Sequence, residues 1–169
     1  MALANPTFFG ILTEDTVPPT VPDGGAWQLI DAPGDQTINV ASGGSLEVGS
    51  SGSNTINVQA NAAEFTVSLD DDFGVVLTGS NGESITVGTP STPQSVVFGD
   101  GATTLSVDGD ANDGAGAVLM GGQEVTDVDT AVDVATAITD TNTNSGDVFG
   151  SGTGPGGGNN GGGGDTQAP

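Results

Sequence analysis

The side chains best suited to chemistry in this chain are carboxylates held in tight turns. The run Asp108-Gly109-Asp110-Ala111-Asn112-Asp113-Gly114 places oxygen donors on alternate positions, with glycine permitting a bend. Loops of the EF-hand type wrap Ca2+ in that way, and Asp108, Asp110 and Asn112 fall on their first, third and fifth positions. Asp113 adds a further oxygen. The glycine comes one residue late, and the twelfth position, where a glutamate would close the loop, is Leu119. A second group, Asp70-Asp71-Asp72, lies in the turn between Val67 and Val75, and Asp100 lies between Gly99 and Gly101. Three adjacent carboxylates cannot all converge on one ion, but one or two can. The chemistry on offer is capture of a hard divalent cation, Ca2+ foremost. A solvated acidic turn is the plain alternative at each place.

Other chemistries are closed off by what is missing. The 169 residues include no Lys, Arg, His, Cys or Tyr, against 22 acidic residues and a formal charge of −22. Without basic groups the chain cannot neutralise phosphates, which excludes nucleic acid and anionic membrane surfaces as partners. Transition-metal sites built on His or Cys, thiol chemistry and a Ser-His-Asp arrangement are equally out of reach. Acid–base catalysis would fall to paired carboxylates alone. A glycosidase would also need more than the single Trp27 to hold its sugar. The reading is a non-enzyme.

The charge also says something positive. A compact body at −22 repels itself, and no internal salt bridge relieves it. Hard cations are the natural counter-charges, so a saline or Ca2+-rich exterior fits, and the absence of Lys and Arg removes every site for trypsin-like proteases. The start, Met1-Ala2-Leu3-Ala4-Asn5-Pro6, shows no basic n-region, and the apolar stretch 8–12 is too short for a Sec-type h-region. No stretch reaches the length of a membrane-spanning helix. The expectation is an extracellular or cell-surface protein without a visible N-terminal Sec signal, with a virion as the alternative.

The elements that must carry these turns repeat across 37–107. Thr37-Ile38-Asn39-Val40, Ser45-Leu46-Glu47-Val48, Thr55-Ile56-Asn57-Val58, Glu64-Phe65-Thr66-Val67, Val75-Val76-Leu77-Thr78, Ser84-Ile85-Thr86-Val87, Ser95-Val96-Val97-Phe98 and Thr104-Leu105-Ser106-Val107 mostly alternate apolar with polar. Each is followed by turn-forming residues, the mark of short strands. Taken alternately, Ile38, Ile56, Val76 and Val96 advance by 18, 20 and 20, and Leu46, Phe65, Ile85 and Leu105 by 19, 20 and 20. A doubled period of that length predicts an all-β fold: a short parallel β-solenoid, or β-roll, of about four two-strand turns. Its inward files would include Val48, Val67, Val87 and Val107, with Asn39, Asn57, Thr66, Thr86 and Ser106 outward. An antiparallel β-sandwich is the competing architecture.

Around the repeat body, 35–120, the chain divides into appendages. Residues 1–34 read as an extended N-terminal capping segment, polyproline-like at 16–22, with Trp27-Gln28-Leu29-Ile30 resembling the later tetrads. In 121–140, the spacing of Val125, Val128, Val132, Ala135 and Ile138 suits a capping helix, while β-branching suits a strand pair. Residues 141–169 form a Gly/Asn-rich tail.

The double-strand repeat, its Gly/Asp turns, the acidity and the lack of Cys together resemble the calcium-binding β-roll proteins that bacterial type I systems export. That family repeats the nonapeptide G-G-x-G-x-D-x-(aliphatic)-x. Here Gly99-Asp100-Gly101-Ala102-Thr103-Thr104-Leu105-Ser106-Val107 keeps the first glycine but lacks the second and fourth glycines and the aspartate. The resemblance implies an extracellular bacterial setting and calcium as a partner, but not the family's regular ladder of ions. The expected function is a non-enzymatic structural subunit of an extracellular assembly, such as a matrix filament, a surface layer or an adhesin stalk. Copies would stack head to tail with help from Ca2+, because a coil has two unpaired ends to cover. A phage or virion structural protein and a soluble carbohydrate-binding module are the alternatives.

Overall fold

Alternation of apolar and polar residues puts one face of each short segment in the core and the other outside, and the segments become strands accordingly. A computed structural model describes residues 6–11, 17–30, 34–49, 51–109, 116–125, 132–143 and 145–149. The strands are β1 (Phe8–Ile11), β2 (Thr20–Val21), β3 (Ala26–Ile30), β4 (Thr37–Val40), β5 (Ser45–Val48), β6 (Thr55–Val58) and β7 (Phe65–Leu69). They continue with β8 (Val75–Gly79), β9 (Ser84–Val87), β10 (Gln94–Phe98), β11 (Gly101–Asp108), β12 (Ala117–Met120), β13 (Gln123–Glu124) and β14 (Val132–Asp133). A single helical turn, α1 (Gly146–Phe149), follows.

The fold is all-β, with two mixed sheets of seven strands. One runs β1-β3-β5-β9-β8-β7-β14 and the other β13-β12-β11-β10-β6-β4-β2. Within each, the early strands are parallel and in register. Trp27 pairs with Leu46 and Leu46 with Ile85 in the first sheet; Ile38 pairs with Ile56 and Ile56 with Val96 in the second. From β1 to β6, and again from β9 to β10, the chain alternates between sheets. The core lies between them, and the rings of Phe65 and Phe98, 5.4 Å apart, tie one to the other.

Two segments depart from the regularity that the repeat predicts. Residues 65–79 do not supply a further winding: β7 and β8 form an antiparallel hairpin, and β8 then pairs antiparallel with β9. The expected file of Val48, Val67, Val87 and Val107 therefore breaks. Val48 and Val87 are register partners, but Val67 faces Leu77, and Val107 faces Val118 and is 43% exposed. Val76 likewise leaves the file of Ile38, Ile56 and Val96, since it belongs to the other sheet. The physical cause is the turn at 70–74, which reverses the chain where the coil would have crossed over. The second departure is the antiparallel run β10-β11-β12-β13 that finishes the other sheet. An all-antiparallel sandwich is excluded by the same registers. The stretch 1–34 contributes three sheet strands. In 121–140 the described residues form β13, β14 and a 3-10 turn at Val134–Ala137. Of the tail 141–169, residues 141–143 and 145–149 are described: Ser145 is buried, its Oγ donating to the Val58 carbonyl at 2.6 Å and its N–H to the Phe98 carbonyl at 2.9 Å. Residues 144 and 150–169, and Val128, lie outside the described residues.

Polar files accompany the apolar ones. On the outer face, Asn57 Nδ2 donates to Asn39 Oδ1 at 2.9 Å and Asn39 Nδ2 to Thr20 Oγ1 at 3.4 Å. At the corner where β4, β6 and β10 begin, the buried carboxamides of Asn54 and Gln94 each accept a backbone N–H in the interior. The Gln36 N–H donates to Asn54 Oδ1 (3.2 Å) and the Asn54 N–H to Gln94 Oε1 (3.0 Å). Gln94 Nε2 in turn holds the carbonyls of Gly52 and Thr92. Gly52, at φ 95°, is required there, because a Cβ would run into the Gly34 carbonyl. The corner thus meets the backbone N–H groups of Gln36 and Asn54 with side-chain oxygens.

The registers make a discriminating prediction. Leu46→Ala removes a fully buried side chain flanked by Trp27 and Ile85 and should cost about 2–5 kcal/mol. Val107→Ala, on the exposed end of β11, should cost no more than about 1 kcal/mol. Chemical denaturation of both variants measures the difference; equal losses would contradict the pairing of Val107 outside the buried file.

Candidate functional site

On the outer face of the first sheet, alternation turns Gln28, Glu47 and Thr86 away from the core, and their parallel register sets them side by side on β3, β5 and β9. Gln28 Nε2 donates to Glu47 Oε1 at 2.9 Å. The tip of the β7–β8 hairpin overhangs this row. Asp70 Oδ1 accepts from the N–H groups of Asp72 (2.9 Å) and Gly74 (2.7 Å), which closes the turn. Thr89 Oγ1 donates to the Asp72 carbonyl at 2.9 Å and moors the tip to the loop after β9. Phe73, at the apex, holds φ 61° and is 64% exposed. That backbone region disfavours a bulky side chain, so the apex is an enforced conformation.

Between tip and sheet lies a cavity of about 460 Å3, lined among others by Gln28, Ile30, Glu47, Asp70, Asp72, Thr86 and Thr89. Its charged groups are three carboxylates, and no side chain of this composition can offset them. Such a groove attracts cationic groups.

The acidic residues singled out in the sequence are dispersed. Asp70 and Asp72 share the groove, and Asp71 is exposed on the same turn. Asp100 lies elsewhere: its Oδ1 accepts from the Ala62 N–H at 2.9 Å, at the start of the 3-10 turn Ala62–Glu64. Asp108 ends β11 opposite Ala117, while Asp110, Asn112 and Asp113 lie outside the described residues. Among the described residues, no three acidic groups gather closely enough to hold a metal ion.

One acidic residue that the sequence did not single out is the most deeply placed. Glu83, just before β9, is only 1% exposed. Its Oε1 accepts from Ser42 Oγ (3.1 Å) and the Gly43 N–H (3.0 Å), and its Oε2 from the Asn81 N–H (3.0 Å). Gly43 adopts φ 79°, which turns its N–H toward this carboxylate. Burial pushes the Glu83 carboxyl up, but the N–H groups of Gly43, Glu83 itself and Asn81, with the Ser42 hydroxyl, outweigh it and hold the group below 4.5. A signal for this existed in the turns preceding β3, β5 and β9: Asp23-Gly24-Gly25, Ser42-Gly43-Gly44 and Asn81-Gly82-Glu83 are variants of one corner.

Comparison with protein-family models, curated proteins and solved structures finds no match to this chain. The groove, the buried carboxylate and the sheet edges therefore carry the functional argument unaided.

Glu83 predicts an acid response. A carboxyl depressed by folding stabilises the protein above its ordinary unfolded value, and that contribution is lost as pH falls through the lower folded value. Glu83→Gln should destabilise by about 1–3 kcal/mol at pH 7, and its stability should decline less between pH 6 and pH 3, about the range in which carboxylates titrate. Denaturation midpoints across that range check it. Parallel curves for the two proteins would show that Glu83 carries no such linkage.

Proposed function

We propose that the chain is a non-enzymatic structural subunit of an extracellular assembly, joined to it through one end of its body, with hard cations such as Ca2+ balancing its carboxylates. In this reading the alternating strands wind as a short β-roll. Its turns are β1–β2, β3–β4, β5–β6 and β9–β10, with the hairpin β7–β8 inserted before the last. The observation that carries the proposal is the contrast between the two ends. Of the eight large apolar side chains exposed among the described residues, five belong to the first winding and its surroundings: Phe8, Phe9, Ile11, Val17 and Ile30. Apolar exposure concentrated in one place marks a contact surface. The opposite end reverses direction in both sheets and finishes in β13 and β14, strands of two residues each. Short edges of that kind discourage further pairing.

This asymmetry supports attachment by one end and argues against head-to-tail continuation of the coil. Association between copies then falls to cations bridging acidic flanks. The extracellular setting rests on the acid-only surface and on the resemblance to exported β-roll proteins. A virion structural protein is the second reading. One open end and one finished end suit a subunit that decorates a particle, and copurification with particles would favour it.

Sedimentation velocity and electron microscopy across a Ca2+ titration test the leading reading. Larger species should form in millimolar Ca2+ and disperse on chelation. A chain that stays monomeric under both conditions would count against it.

A further inference from the structure

We propose that Asn81-Gly82, in the turn between β8 and β9, is a site of spontaneous modification: its conversion to aspartate or isoaspartate loosens the corner held by Glu83 and gives the fold a limited lifetime. The inference concerns the single chain and stands whether or not copies assemble.

The reaction needs only the chain and water. The Gly82 amide nitrogen attacks Cγ of the Asn81 carboxamide, and the bond from Cγ to Nδ2 breaks. Nδ2 leaves as ammonia, taking the proton that Gly82 gives up, and a succinimide ring remains. One water then opens the ring. Cleavage between the ring nitrogen and Cγ yields aspartate; cleavage on the main-chain carbonyl side yields isoaspartate, whose backbone runs through Cβ and Cγ. A following glycine favours closure because it has no Cβ to obstruct its own nitrogen.

Sequence and structure single out this pair. Among the described residues, Asn81 is the one asparagine followed by glycine. Asn39, Asn54 and Asn57 are buried and precede the β-branched Val40, Thr55 and Val58. Asn81 and Gly82 are exposed, and beyond its chain neighbours no heavy atom lies within 4 Å of where a Gly82 Cβ would stand. The reacting groups are held by long bonds. The Gly82 N–H reaches the Gly79 carbonyl at 3.3 Å, and Asn81 Nδ2 reaches Glu64 Oε2 at 3.3 Å, both past the usual range.

The product disturbs groups that are better held. The Asn81 N–H donates to Glu83 Oε2 at 3.0 Å, while Glu83 Oε1 holds Ser42 and Gly43 in the turn before β5. Isoaspartate lengthens the main chain within the turn and displaces that N–H, so a buried carboxylate loses a donor. Either product also replaces the amide donor with a carboxylate beside Glu64. Glu64 Oε1 accepts from the Asn61 N–H at 3.0 Å, at the start of the 3-10 turn Ala62–Glu64. A reaction at the surface thus reaches two neighbouring turns.

The test ages the full chain in warm, mildly alkaline buffer until Asn160-Gly161, its other Asn-Gly pair, has converted. Peptide mass spectrometry should by then place an amide-to-acid mass gain at residue 81 as well, with isoaspartate identified by electron-transfer fragmentation. Anion-exchange chromatography isolates the more acidic species, and its denaturation midpoint should lie below that of fresh protein. Asn81→Gln, whose longer side chain must close a larger ring, should gain no acid at that position. In Glu83→Gln, conversion of Asn81 should lower the midpoint less than it does in the unsubstituted chain, because the two changes act on one corner. Three results would overturn the inference: Asn81 intact when Asn160 has converted, a converted species with an unchanged midpoint, or an equal fall with and without Glu83.

Discussion

A chain without a basic side chain must hold the carboxylates of its turns with something other than side-chain charge. Here that something is the backbone N–H. Glu83 is buried against Gly43 and Asn81, Asp70 folds around Asp72 and Gly74, and Asp100 takes the first donor of the turn at Ala62. Each of these carboxylates fixes a turn, and the turns set where strands begin. The carboxamides of Asn54 and Gln94 do the same work at another corner, accepting the N–H groups of Gln36 and Asn54. Hydrogen bonds to an ionised acceptor are stronger than neutral ones, so the acidic composition contributes to order inside the body while it repels outside.

That division organises the surface as well. Carboxylates spread over the flanks make two such bodies repel each other. The β1 edge is different, with Phe8, Phe9 and Ile11 exposed on a strand that, among the described residues, pairs only with β3. Among the described residues, exposed apolar side chains are thus concentrated near β1, and prolines bracket the neighbouring edge strand β2. The two ends of the sheets differ accordingly: one carries that apolar row, and the other is finished by antiparallel strands.

Much of this was legible in the residues. The tetrads became strands with their boundaries nearly intact, and the files of Ile38, Ile56 and Val96 and of Leu46 and Ile85 formed as alternation requires. The hairpin was disguised by arithmetic. Successive windings lie 18 or 19 residues apart at Asn54 and Glu47, while Asn54 and Gln94 are 40 apart, so the insertion has about the length of one more winding. A regular beat therefore continued through a segment that reverses direction. Glu83 escaped notice because glutamate ordinarily lies on the surface, and its burial depends on contacts with a turn 40 residues away. The groove was half visible: Asp70 and Asp72 stood out, but Glu47 and Gln28 join them only through register between strands.

The inserted hairpin leaves β5 against β9 and β6 against β10, as if nothing lay between them in the chain. A segment whose flanking strands already touch can be enlarged, shortened or exchanged in descent without re-registering what precedes it. Overhanging tips such as 70–74 are then free to diversify in shape and ligand preference, while the windings beneath keep their length and their ends.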